Sequence, residues 1–367
     1  MNPRAIASLA GLLGSAISFK YGFAGSKSIS NISRDEHVVF FTTHSWYDDH
    51  SKTWNIPIHG WVYELESRPI VRAMFGELLE RKYGLKSSLE TENNFSYRTR
   101  LLTADNERGK RIVIKLLGRR YVLPKSQANG HFKSIIAVPA AKLQTRYKTS
   151  DALSFELVLR PNDPRKIVGK SLLIGGGGVS IIRDIDDTFK LRYVTEHKKL
   201  FESSFFNDFV PIDGMPELYR DWQAQGAKFH YVSSSPWQLY EPLKEFMRAH
   251  DFPTASFSLK MIRLKDQTFL NLFKSATKTK PQAIEAILNR YPNRRFVLLG
   301  DSGEKDAQVY AQIANNHPEK IVKIYVRNIN HDPDLDQFYH TVFDGLPAEL
   351  WQTFVNPNEI ETRLKLD

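Results

Sequence analysis

Beyond Gly178 the chain alternates between short β-branched runs and segments of helical period, and that rhythm leaves few folds open. Residues 179–183 read as a buried strand, 214–225 as a helix and 228–232 as a strand. A helix follows at 237–250 and another at 281–290, then a strand at 295–299, a helix at 307–315 and a last strand at 321–326. Strands that alternate with helices pair in parallel, because each crossover helix returns the chain to the same end of the sheet. The expected fold class is therefore α/β, a parallel sheet with helices on both faces. Ligands of such sheets sit outside the carboxyl ends of the strands, so the polar residues just after each strand matter most.

Upstream the pattern differs. Residues 37–41, 54–58, 111–114 and 153–159 are β-branched or aromatic runs, most of them separated by turn residues such as Asp49-His50-Ser51 and Pro161-Asn162-Asp163-Pro164. One helix interrupts at 69–82, with Val71, Met74, Phe75, Leu78 and Leu79 at helical spacing. This predicts a smaller β-rich domain preceding the α/β unit. Gly175 to Gly178 form a run that no strand or helix interior favours. A phosphate-cradling loop would need a helix directly downstream, and a strand follows instead, so the run is expected to be a tight turn. The length of 367 residues fits two units: 35–174 β-rich and 178–330 α/β, with 331–367 as a C-terminal extension.

At the N-terminus, Arg4, a weakly apolar stretch over 5–19 and a small-x-small site at Gly22-Phe23-Ala24 read as a signal peptide over 1–24; the other reading is an N-terminal tail. The first implies export, periplasmic or secreted, and the second a cytoplasmic or membrane-peripheral protein. Cysteine is absent, which excludes disulfides, cysteine nucleophiles and thiolate metal sites. The net charge of +10 favours anionic partners, but no basic–aromatic nucleic-acid motif accompanies it, so no nucleic acid is expected. The eleven histidines show no metal-ligand spacing, and His44, His50 and His59 read as surface or turn residues.

The strand ends carry the chemistry. The first ends in Asp184-Ile185-Asp186-Asp187-Thr188, the next in Ser233-Ser234-Ser235, and the strand at 295–299 in Gly300-Asp301 with Asp306 five residues on. Lys278-Thr279-Lys280 stands before the helix that leads into that last strand. A carboxylate can attack phosphorus once the opposing negative charge is masked, which makes Asp184 a candidate nucleophile and Asp186 its general acid and base. Ser233 and Lys280 suit the phosphoryl oxygens; Lys280 is preferred to Lys278 because the helix starts beside it. Asp184, Asp186, Asp301 and Asp306 would offer oxygen ligands to a hard cation such as Mg2+. Taken singly, each piece also has a plain reading: a solvated acidic turn, a Gly-Asp turn, an exposed lysine, or a Ser235-Pro236 helix cap.

In this order the motifs resemble those of the haloacid dehalogenase-like hydrolases. Asp186 fits phosphoryl transfer, since dehalogenases of that superfamily lack an acid there. The runs 185–188, 211–219, 229–240 and 299–306 are similar to the catalytic domain of the actin-patch-associated phosphatidate phosphatases and their bacterial relatives. The resemblance covers about residues 178–327 and implies a Rossmann-like sheet, Mg2+ dependence and a phosphomonoester substrate, with a lipid phosphate such as phosphatidate as the preferred class. Arg183, directly before the nucleophile, departs from the small or acidic residue more common in relatives. The alternatives are a soluble or protein-borne phosphomonoester, or a membrane- or envelope-binding protein with a vestigial hydrolase domain.

Only about twenty residues separate Thr188 from Pro211, too few for a large cap domain. An uncapped site suits a bulky substrate or one held in a surface. The Phe-rich run 200–209 is expected to pack on the core; its other reading is a peripheral membrane contact dipping into a lipid interface.

Overall fold

The computed structural model describes residues 28–65, 69–143, 150–185, 198, 201–261, 279–302, 305–329 and 335–364. The expected signal segment 1–24 lies outside them. Among the described residues, no helix is long and apolar enough to cross a membrane.

Two sheets form the frame. In chain order the first uses β1 (Glu36–Phe40), β2 (Thr43–Asp48) and β3 (Thr53–Glu64). After helices α1 (Pro69–Tyr83) and α2 (Glu92–Leu102) come β4 (Asp105–Asn106), β5 (Val113–Leu116), β6 (Arg119–Val122), β7 (His131–Pro139), β8 (Ala152–Leu157) and β9 (Val168–Ile174). Their order is β1-β3-β2-β9-β8-β5-β6, with β4 and β7 also paired to β3. All these pairings are antiparallel except β2 with β9. Strand β3 holds the sheet together because Trp54, Ile56 and Ile58, two residues apart, are all buried on one face.

The second sheet is wholly parallel. It contains β10 (Val179–Arg183), α3 (Met215–Ala224), β11 (Lys228–Pro236), α4 (Tyr240–Ala249), β12 (Ala255–Lys260) and α5 (Thr279–Arg290). The chain then continues through β13 (Arg295–Asp301), α6 (Asp306–Asn316), β14 (Ile321–Arg327), α7 (Leu335–Val342) and β15 (Trp351–Phe354). The strand order is β12-β11-β10-β13-β14-β15. Alternation along β10 sends Ile181 and Ile185 to one face with Met215, Leu218 and Trp222 of α3 and Leu243 of α4. Ile182 goes to the other face with Ile284 and Ile287 of α5 and Ile313 of α6.

The expected strand at 321–326 is not the last. Within the region read as an extension, β15 adds a sixth parallel strand by pairing with β14. Its four residues are too few for a period-2 pattern to stand out. The glycine run is a turn, as expected: Gly178 has φ +91°, and the Arg294 guanidinium donates to the carbonyl of Gly175 at 3.1 Å.

The two sheets pack against each other, sharing part of their cores. Phe41 lies 4.2 Å from Trp237 between ring centroids, and the Thr42 amide donates to the Tyr240 hydroxyl at 2.9 Å. The histidine reading needs correcting here. His50 is exposed, but His44 and His59 are only 4% and 7% exposed, wedged between the sheets. His44 Nδ1 and His230 Nδ1 both bond Ser256 Oγ, at 3.0 and 2.8 Å, while His59 Nε2 meets His131 Nδ1 at 3.1 Å. Nothing local in the sequence marks His44 and His59 as buried; the partner of His59 is 72 positions away, and those of His44 are 212 and 246 away.

This arrangement has a pH consequence. Burial, then the nearby Arg294 and Arg290, push His230 down to about 3, and burial followed by Lys133 does the same to His131. Both are neutral in the fold, whereas the unfolded chain takes up protons below about 6.5. Their stabilisation is complete above that value, declines as pH falls, and is lost near pH 3. We expect a decline of roughly 2 kcal/mol per histidine at pH 5, read as a falling urea midpoint. A midpoint unchanged from pH 7.5 to 5 would contradict it.

Candidate active site

At the centre of the parallel sheet lie two of the acids picked out at its strand ends, Asp184 and Asp301. β10 lies between β11 and β13, and Arg183 is in register with Tyr231 on one side and Leu299 on the other. Asp184 therefore leaves the sheet flanked by Ser233 and Asp301, each two residues beyond a register partner of Arg183. All three are buried, at 0, 7 and 2% exposure. The backbone N–H of Asp184 still donates to Leu299 O at 3.1 Å, which ties the residue to the sheet.

Both oxygens of the Asp184 carboxylate are held. The Ile185 N–H donates to Oδ1 at 2.6 Å, and Lys280 Nζ donates to Oδ2 at 2.8 Å. Lys280 is the second residue of α5 and 4% exposed, so its ammonium is turned inward rather than into solvent. It also bonds Asp306 Oδ1. Asp306 is the first residue of α6, where the unsatisfied N–H groups of a helix start favour a carboxylate. Lys280 thus bridges Asp184 and Asp306. Lys278, the other lysine weighed for this position, lies outside the described residues, as does Asp186.

Ser233 accepts the N–H of Ser235 at 2.9 Å, which leaves its own hydroxyl proton to be given elsewhere. The alternative reading of these serines as helix caps does not hold. β11 runs on through Pro236, a 3-10 turn follows at Trp237–Leu239, and the residue before α4 is Leu239, with no side-chain cap. The strand pairing shifts between Val232 and Pro236, so the serine run is an irregular strand end.

Gly300 is required by this packing. A Cβ there would stand within contact distance of the Asp306 carboxylate and 2.7 Å from the Tyr310 ring, whose hydroxyl bonds Leu299 O at 2.9 Å. We expect Gly300→Ala to displace Asp306, with a stability loss of about 1–3 kcal/mol. Any phosphatase activity should fall with it, and wild-type values in both urea denaturation and phosphate release would disprove the close fit.

The donor set is all oxygen and sits on adjacent parallel strands, which suits a hard cation. Asp184, Asp301 and Asp306 do not by themselves converge to metal-binding distance; among the described residues the tight carboxylate trio is Glu36, Glu64 and Glu107, with Lys110 paired to Glu36 and Glu107.

The Phe-rich run packs inward. Phe201, Phe205 and Phe206 are 1, 0 and 3% exposed, with Phe205 against Phe75 of α1 and Phe206 stacked on Phe95 of α2. These rings are not available to a lipid interface. Sequence reasoning missed the role of Arg183, which is fully buried: its guanidinium lies over the Tyr219 and Tyr231 rings, and its Nε donates to the carbonyl of Asp184 at 2.7 Å.

Residues 179–328 match the family described as phosphatidate phosphatase APP1, catalytic domain, which bears out the resemblance read from the motifs. The chain is 36% identical over 154 residues to phosphatidate phosphatase APP1 of Saccharomyces cerevisiae, covering 41% of this chain and 26% of that protein. It is 32% identical over 158 residues to the uncharacterized protein C29B5.04c of Schizosaccharomyces pombe, covering 42% and 26%. The matched stretch spans about a quarter of the length of these curated relatives. Among solved structures, a phosphoserine phosphatase from T. onnurineus is similar over 43% of this chain and 69% of its own, at 18% identity and a TM-score of 0.21.

Proposed function

We propose that residues 178–330 form a haloacid dehalogenase-type, Mg2+-dependent phosphatase unit that hydrolyses a phosphomonoester through an aspartyl-phosphate on Asp184. The observation that carries this reading is the Asp184 carboxylate itself. It is buried at the end of the central strand, with one oxygen fixed by a backbone N–H and the other by a lysine. A carboxylate so restrained is oriented before substrate arrives, which removes part of the entropic cost of attack.

In the first step an Asp184 oxygen bonds to phosphorus while the bond from phosphorus to the ester oxygen breaks; the departing oxygen takes a proton from Asp186. In the second, water attacks phosphorus and gives one of its own protons to Asp186, while the bond from phosphorus to the Asp184 oxygen breaks, releasing phosphate and restoring the Asp184 carboxylate. The Ser233 hydroxyl and the Lys280 ammonium stabilise the phosphoryl oxygens as charge builds on them. Asp184, Asp186 and Asp301 would hold Mg2+, which supplies neutralising charge at the phosphoryl group. Asp306, engaged with Lys280, acts chiefly by keeping that ammonium in place.

For the substrate, a lipid phosphate such as phosphatidate is the preferred class. The support is the family match over residues 179–328 and the short span between Thr188 and Pro211, which leaves no room for a large cap. Phosphate release from phosphatidate in mixed micelles, set beside a panel of water-soluble phosphomonoesters, tests it. We expect the lipid to be turned over with the higher kcat/KM. Turnover confined to the soluble panel would remove the lipid assignment, and no Mg2+-dependent release from any ester would remove the phosphatase. Export through residues 1–24 is likewise proposed, and mass spectrometry of the mature N-terminus checks it.

A further inference from the structure

We infer that Arg183 is a positioning residue for Asp184, acting through the single peptide group that joins Asp184 to Ile185. That peptide is gripped on both sides. Its carbonyl accepts Arg183 Nε at 2.7 Å, and its N–H donates to Asp184 Oδ1 at 2.6 Å. A donor on the carbonyl oxygen polarises the amide and strengthens what its N–H gives, since hydrogen bonds in series reinforce one another where the dielectric is low. The path therefore runs from guanidinium to peptide to carboxylate, and it fixes the plane in which Oδ1 is held.

The cost of placing a guanidinium there argues for a purpose. Arg183 is fully buried, on the same face of the sheet as Ile181 and Ile185 and among the aromatic side chains beneath α3. Desolvating such a charge is expensive, and an apolar side chain of similar volume would serve the core equally well or better. The guanidinium is kept in place by the Tyr219 ring at 4.9 Å and by the Tyr231 ring at 5.5 Å; Tyr231 is its register partner on β11. Its charge thus has a cation–π seat at one end and the nucleophile's own backbone at the other.

This inference rests on the phosphatase reading, so Mg2+-dependent phosphate release by the full-length wild-type protein is established first; without it, that reading fails before any variant is compared. The discriminating pair is Arg183→Gln and Arg183→Met. Gln places an N–H donor at the same distance along the side chain as Arg Nε, whereas Met has the same length and no donor. Rates are taken on an aryl phosphate, per folded molecule as judged by near-UV circular dichroism. We expect Arg183→Met to lower kcat about 30-fold with KM within about threefold of wild type, and Arg183→Gln to recover at least about tenfold of that loss. A purely structural role would lower the folded fraction and leave kcat per folded molecule alike in the two variants. Equal kcat in both, a change confined to KM, or failure of both to fold would each overturn the inference.

Discussion

Asp184→Asn should abolish Mg2+-dependent phosphate release, lowering kcat by at least about 10,000-fold, the scale seen when a covalent nucleophile is removed. Substitution by an isosteric amide tests the nucleophile directly. It also disturbs the local bonding, because Asp184 receives a donor on each oxygen, the Ile185 N–H on one and Lys280 on the other. An amide can accept on only one side, and its NH2 must then face an existing donor. Some loss of stability is therefore expected, and activity must be normalised to folded protein. Phosphate release equal to wild type in this variant would remove Asp184 as nucleophile. A radiolabelled acyl-phosphate trapped on the wild type and missing from Asp184→Asn would be the positive counterpart.

The second large effect is expected at Lys280, where stability and catalysis should separate. Its ammonium bridges two buried carboxylates, so Lys280→Met leaves Asp184 and Asp306 as like charges without their common counter-ion. Breaking a buried ion pair by removing one partner costs about 3–5 kcal/mol, and loss of a cation that stabilises the phosphoryl oxygens costs about 100- to 1,000-fold in rate. Adding Asp306→Asn to Lys280→Met removes one of the two facing charges. The double variant should therefore recover much of the urea midpoint while phosphate release stays as low as in the single variant. Recovery of both together would show that Lys280 only holds the fold. Recovery of neither would show that the Lys280–Asp306 bond contributes little to stability.

The candidate site was legible because the residues proposed for it lie at element boundaries. Asp184, Ser233 and Asp301 each follow an apolar run short enough to read as a strand, and a parallel sheet places strand ends side by side. Lys280 was legible in part, as one of two lysines before a helix; its burial of 96% and its bond to a residue 96 positions earlier were not. The same limit explains the histidines. His44 follows Thr42-Thr43 in a run that is polar by type, and it becomes an interior residue through distant partners, Ser256 on β12, His230 on β11 and Arg290 on α5.

What the sequence determined by itself was the alternation of elements after Gly178 and the residue types at their ends, because hydrophobic period and turn chemistry are local properties. The tertiary structure alone decided how those ends meet. Register across β11, β10 and β13 set Ser233 and Asp301 on either side of Asp184, and the packing of α5 turned Lys280 inward. It decided too that Arg183 would lie inside the sheet and reach the carbonyl of Asp184, and that β15 would extend the parallel sheet. Pairing and burial depend on residues far apart in the chain, whose contacts exist only once the core has closed around them.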